Sequence, residues 1–139
     1  MLEIIAGEKG NGKTKYLLDT VNTAVNSATG NIVYLDKSQK HMHELTNRVR
    51  LINVSDYPIS SSDEFIGFIC GIISQDYDLQ EMYLDSFLTI GRVRDDQIEH
   101  VIDKLDRIGN TYSVKFVLSV SKSAADLPES VKEKVILSL

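Results

Sequence analysis

The chain has 139 residues, enough for one domain with its own hydrophobic core. With 42% hydrophobic and 25% charged residues it has the composition of a globular protein, and its net charge of −5 argues against a broad electrostatic footprint for nucleic acid. No apolar run approaches the roughly 20 residues of a membrane helix; the most apolar stretch, Phe65 to Ile73, is interrupted by Gly67 and Gly71.

Taken in chain order, residues 2–6 (Leu-Glu-Ile-Ile-Ala) read as a first strand ending at Gly7. Residues 13–27 place Leu17, Leu18, Val21, Ala24 and Val25 at helical spacing, closed by Thr29-Gly30-Asn31. Asn31 to Leu35 is a second strand with Asp36 at its carboxyl end, and residues 37–47 hold at most a short helix. A third strand is expected near 49–54. Ser61-Ser62-Asp63-Glu64 then fits a capping box, in which the Ser61 hydroxyl and Glu64 carboxylate each satisfy an orphan N–H. The helix it opens carries Phe65, Phe68, Ile69, Ile72 and Ile73 on one face, with Cys70 expected as a buried thiol.

A fourth strand is expected over 81–87, with Asp85 near its end. Residues 95–108 form an amphipathic helix with Ile98, Val101, Ile102, Leu105 and Ile108 on one side, stopped by Gly109-Asn110. Lys115 to Val120 is a fifth strand, a helical turn follows near Pro128, and residues 135–139 add an edge strand. Strands alternating with helices predict an α/β fold, three layers deep, around a mainly parallel sheet of about five or six strands. Residues 1–139 read as one domain.

The loop between the first strand and first helix carries the sharpest signal. Gly7-Glu8-Lys9-Gly10-Asn11-Gly12-Lys13-Thr14, followed by Lys15, fits G-x-x-x-x-G-K-[ST] at every position. Glycines let the main chain curl so that successive N–H groups face phosphate oxygens, where a Cβ is expected to obstruct. The helix start adds unpaired N–H groups and a positive dipole end. Lys13 reaches β- and γ-phosphates, and the Thr14 hydroxyl holds Mg²⁺. The loop therefore predicts binding of a nucleoside triphosphate with Mg²⁺. Such a site needs a further carboxylate at the end of an apolar strand, and two strands offer one: Val33-Tyr34-Leu35-Asp36 and Met82-Tyr83-Leu84-Asp85. Either acid is equally readable as a strand-end turn residue.

The loop, the strand ending in Asp36, and Tyr83-Leu84-Asp85-Ser86-Phe87-Leu88 together resemble the RecA-like branch of P-loop ATPases, in which the later strand ends in an Asp-Ser pair. The resemblance implies that Asp85 is the metal-side acid, that Asp36 lies beside the γ-phosphate, and that the nucleotide is ATP. It covers about the first 120 residues in order of elements. The chain is also similar to small stand-alone bacterial P-loop proteins sometimes labelled twitching-motility ATPase, although the acidic and histidine boxes of the large pilus-retraction ATPases are not present in this sequence. RecA-like relatives often assemble, which implies a homo-oligomer or a partner protein.

Turnover is where the sequence departs from its relatives. Many carry Glu directly after the metal-side Asp, where this chain has Ser86; RecA-like proteins carry Glu beyond the second strand, where it has Lys37-Ser38-Gln39. Asp36 and Gln39 are the remaining groups for orienting water. Arg92 and Arg94 are the available cations for charge stabilisation, read otherwise as a solvated loop beside Asp95 and Asp96. Ser119 and Ser121 end the strand where relatives place a polar γ-phosphate sensor. His41 and His43, two apart, share no helix face and read as surface residues. Tyr77 and Tyr83 read as core residues rather than base-stacking ones.

The function that follows is ATP binding with slow Mg²⁺-dependent hydrolysis or a nucleotide switch. A nucleoside or nucleotide kinase and a non-catalytic nucleotide-binding interaction module are the alternatives; the kinase lacks an arginine-rich lid. Met1-Leu2-Glu3-Ile4-Ile5 shows no basic segment or cleavage site, and the lone Cys70 allows no internal disulfide; both point to the cytoplasm.

Overall fold

Apolar β-branched runs bounded by loops become six parallel strands in the computed structural model, which describes residues 1–139. The strands are β1 (Leu2–Ala6), β2 (Asn31–Asp36), β3 (Val49–Asn53), β4 (Leu79–Leu84), β5 (Lys115–Val120) and β6 (Val135–Ser138). The helices are α1 (Lys13–Ala24), α2 (Ser62–Ser74), α3 (Phe87–Ile90), α4 (Ile98–Tyr112) and α5 (Glu129–Lys132). The strand order is β3-β2-β4-β5-β1-β6, so the sheet is all-parallel and the expected α/β architecture is present. No helix is long and apolar enough to cross a membrane.

Right-handed crossovers decide which helix covers which face. The chain moves one way along the sheet from β1 to β2, and the other way from β3 to β4 and from β4 to β5. Consequently α1 packs on one face through Leu17, Leu18 and Val21, against Ile5, Ile32, Tyr34, Tyr83 and Val117. Helices α2 and α4 cover the other, where Phe65, Ile69, Val101, Ile102 and Leu105 meet Ile4, Leu35, Leu84, Phe116 and Leu118.

Several boundaries differ from the sequence expectation, each for a local reason. β4 ends at Leu84 rather than 87, because Ser86 takes the left-handed conformation (φ 55°) and Phe87 turns into α3 with its ring buried. α4 follows a 3₁₀ turn at Asp95–Gln97 and runs through Gly109 to Tyr112, closed by Ser113 at φ 57°. Gly109 serves close packing instead of termination: a Cβ there would lie 2.6 Å from the Val114 carbonyl oxygen. The capping box is half formed. Ser61 Oγ accepts from the Glu64 amide at 3.1 Å, but the Glu64 carboxylate accepts from the Ser60 amide and hydroxyl at 2.6 and 2.8 Å. These bonds from Ser60 hold the Glu64 carboxyl below its usual range. Cys70 is exposed, a correction to the buried thiol: α2 buries Phe65, Ile66 and Ile69, which leaves Cys70 on the outer side.

Candidate functional site

The register of the parallel strands builds one row of side chains across the carboxyl end of the sheet. Leu35 pairs with Leu84, and Leu84 with Leu118; the next positions along are Asp36, Asp85 and Ser119, and Ser119 pairs in turn with Ile5 of β1. Two residues beyond Ile5, β1 gives way to the loop Gly7–Thr14. Since alternate residues share a face, this row lies on the side of Tyr34, Tyr83 and Val117, which is the α1 side. The fold thus brings the loop and both predicted acids to one edge, with β5 between the loop strand and the acid strand.

The loop itself is curled. Gly10 and Gly12 both hold φ 89°, a left-handed conformation open to glycine at little cost. A Cβ at either would meet no protein atom within 4 Å, so within the chain itself it is the backbone angle that calls for glycine there. Gly12 is also the N-cap of α1, and no side chain caps that helix, which leaves first-turn N–H groups available to an anion. Lys13 is only 6% exposed, and its Nζ donates to the Glu8 carbonyl oxygen at 2.9 Å, spanning the loop. Burial lowers its ammonium below the usual lysine range, partly opposed by the negative charge of Asp85. The Thr14 side chain is half-buried. Glu8, Lys9, Asn11 and Lys15 are exposed, with Lys15 paired to Asp19 at 3.3 Å. Asn11 Nδ2 donates to the Leu139 carbonyl oxygen at 3.4 Å.

The two acids are equally buried, each 2% exposed, yet differently bonded. Asp85 Oδ1 accepts from Ser119 Oγ at 2.6 Å and from the Ser86 amide at 2.9 Å; Oδ2 accepts from the Tyr34 hydroxyl at 2.8 Å. Asp36 Oδ1 accepts from the Lys37 amide at 2.7 Å, whereas its buried Oδ2 has no partner. Burial raises the Asp36 carboxyl above its ordinary range; the Lys37 bond opposes this and the nearby Asp85 charge adds to it. Burial also drives the Tyr34 hydroxyl far above the usual tyrosine range, reinforced by Asp85. It therefore stays a donor at any working pH.

These contacts sort the remaining candidates. Ser119 donates to Asp85, so its hydroxyl is directed at the acid; Ser121 is exposed. Tyr34 is the residue the sequence reading passed over. Its signal was a tyrosine two positions before Asp36 in a buried strand, whose polar tip needs a partner. Arg94 pairs with Asp96 at 3.4 Å in the solvated loop, but Arg92, at φ 52°, turns away and donates from Nε to the Ile59 carbonyl oxygen at 3.2 Å. Gln39 and His43 are exposed, and His41 sits 2.9 Å from Glu44. Tyr83 is buried with its ring stacked on Tyr34 at 6.3 Å, while Tyr77 is fully exposed.

A wider cleft of about 790 Å³ opens elsewhere, between β3 and α2, lined by Arg48, Arg50, Tyr57, Phe68 and Ile72, and contains none of the loop residues. A phosphate cradle is defined by main-chain amides and one cation rather than by enclosed volume.

The fold has a solved counterpart in a KaiC-like protein from the hyperthermophilic archaeon Pyrococcus horikoshii, superposing with a TM-score of 0.60 over 95% of this chain at 13% identity. The chain spans 66% of the length of that protein. At this identity the likeness shows the fold alone, an α/β domain built on an all-parallel sheet. It lends no support to the motility label. Comparison of the sequence with protein-family models and with curated proteins finds no match.

Proposed function

We propose that this chain binds ATP with Mg²⁺ through the loop Gly7–Thr14 and hydrolyses it slowly, residues 1–139 acting as one nucleotide-binding unit. One observation carries the reading: a left-handed glycine loop leads into an uncapped helix start, with a buried lysine across it, at the same sheet edge as two buried acids. Main-chain N–H groups at the uncapped start of α1 would cradle the phosphates, with Lys13 exchanging the Glu8 carbonyl for phosphate oxygens.

The residues present fit a divalent cation. The hydroxyl of Thr14 and the carboxylate of Asp85 would hold Mg²⁺, which would supply neutralisation of the charge on the triphosphate. Asp36 presents a buried acceptor oxygen with no internal partner, on a carboxyl that burial raises above its ordinary range. It is the group proposed to orient the attacking water. The seats where relatives carry Glu hold Ser86 and Lys37-Ser38-Gln39, which supports turnover well below the about 10 s⁻¹ typical of enzymes.

Titration of ATP into the native chain and Lys13→Ala, each with and without Mg²⁺, tests the reading. Native binding should tighten with Mg²⁺, and Lys13→Ala should weaken it about ten- to hundredfold, the worth of a charge-assisted hydrogen bond or two. Equal binding by the two proteins would remove the site. Phosphate release from ATP alone separates a hydrolase from a kinase, whose ADP formation requires an acceptor; no release in a single turnover favours a binding module.

A further inference from the structure

Asp85 is held by more donors than a strand-end turn residue needs. A carboxylate offers about four lone-pair directions, and three are taken from three separate parts of the chain. β2 supplies the Tyr34 hydroxyl, β5 the Ser119 hydroxyl, and the following residue the Ser86 amide. The Ser86 amide also donates to Ser119 Oγ at 2.7 Å, so the serine hydroxyl is aimed from both sides. Tyr34 and Ser119 are 0% and 1% exposed, and the Tyr34 ring is braced by stacking on Tyr83, so neither donor is free to swing away. Only one lone pair, on Oδ2, is left for a ligand. Asp36, in the same row and equally buried, has no such support.

We propose that Tyr34 and Ser119 are positioning residues for Asp85, fixing its carboxylate so that a single acceptor direction on Oδ2 meets the hydrated cation of the nucleotide complex. The proposal rests on the reading of Asp85 as the metal-side acid. It assigns Ser119 to the acid, in place of the γ-phosphate contact that its strand-end position suggested. Outer partners of this kind orient the ligand and typically set metal affinity by one to two orders of magnitude.

Tyr83 provides an internal control. It lies beside Tyr34 in the same row, is 1% exposed, and its hydroxyl also donates at 2.8 Å, but to Glu81 instead of Asp85. Calorimetric titration of ATP into the full chain, in EDTA and over a Mg²⁺ series, is compared for native protein, Tyr34→Phe, Tyr83→Phe, Ser119→Ala and Ser119→Thr. Tyr34→Phe and Ser119→Ala should each need about tenfold more Mg²⁺ for half-maximal tightening. Their affinity in EDTA should stay within about twofold of native. Tyr83→Phe should follow the native Mg²⁺ curve, and Ser119→Thr, which keeps the hydroxyl, should restore it. In the nucleotide-free chain, Ser119→Ala should also speed hydrogen exchange at the Ser86 amide.

The proposal is overturned if Tyr34→Phe and Tyr83→Phe share one Mg²⁺ curve, or if Ser86 exchange is unchanged in Ser119→Ala. A native chain whose ATP binding ignores Mg²⁺ refutes the reading of Asp85 itself and takes the positioning role with it. That outcome is distinct from one in which native binding tightens and the variants simply match it.

Discussion

Against α2, α3, α4 and α5 the sheet buries a cluster of 26 residues, including Phe65, Phe87 and Phe116; against α1 it buries 10. The first face is packed with apolar side chains under α2 and α4, and opens at the cleft between β3 and α2. The second is apolar only in its middle, and ends in the row of Asp36, Asp85 and Ser119 beside the loop Gly7–Thr14. Burying those polar groups is costly unless they are bonded, and the thick opposite core is what the fold sets against that cost. The difference teaches that the deep apolar core and the buried polar row lie on opposite faces of a single sheet, and that division is open to direct attack.

The largest effect is expected from the thick face. Phe116→Ala opens a cavity beneath α4 and should cost about 3–5 kcal/mol in denaturant unfolding, while ATP affinity of the folded fraction stays near native. A comparable loss of affinity would break the division. Gly109→Ala is next. Its new methyl meets the Val114 carbonyl oxygen at 2.6 Å, and should cost about 1–2 kcal/mol even though alanine favours a helix. A stabilised variant would show that Gly109 is placed by chance.

Asp36 sharpens the comparison through pH. Its folded carboxyl binds a proton more tightly than the unfolded one, because burial disfavours the charge. Its contribution therefore favours the fold at acid pH and is lost as pH rises from the ordinary carboxylate value through the raised folded one. Relative to Asp36→Asn, the native chain should lose stability across that window in urea unfolding at stepped pH. The opposite slope would mean that Asp36 is held as a charge by a partner. Smallest of all, Cys70→Ser on the outer side of α2 should change stability by less than about 0.5 kcal/mol and leave ATP binding untouched.

Much of the site was legible in the residues because its signals are local. The glycine-rich loop is eight consecutive positions, of which Gly7, Gly12, Lys13 and Thr14 answer to the motif, and a strand ending in Asp needs only alternation and a boundary. The boundaries that moved were set by contacts no local pattern contains. Gly109 reads as a stop signal, but the returning chain at Val114 makes it a packing site inside α4. Phe87 reads as the end of a strand, but Ser86 reverses the backbone and the ring joins the core.

By itself, the sequence determined the alternation of elements, the curled loop with Lys13 and Thr14, and the presence of two acid-tipped strands. Tertiary structure decided the strand order, and with it everything that separates one acid from the other. Side-chain period and local hydrogen bonding are properties of neighbouring residues. Register between β2, β4 and β5 joins residues 51 and 34 positions apart, and only that pairing carries Tyr34 and Ser119 to Asp85 and leaves Asp36 Oδ2 with no partner.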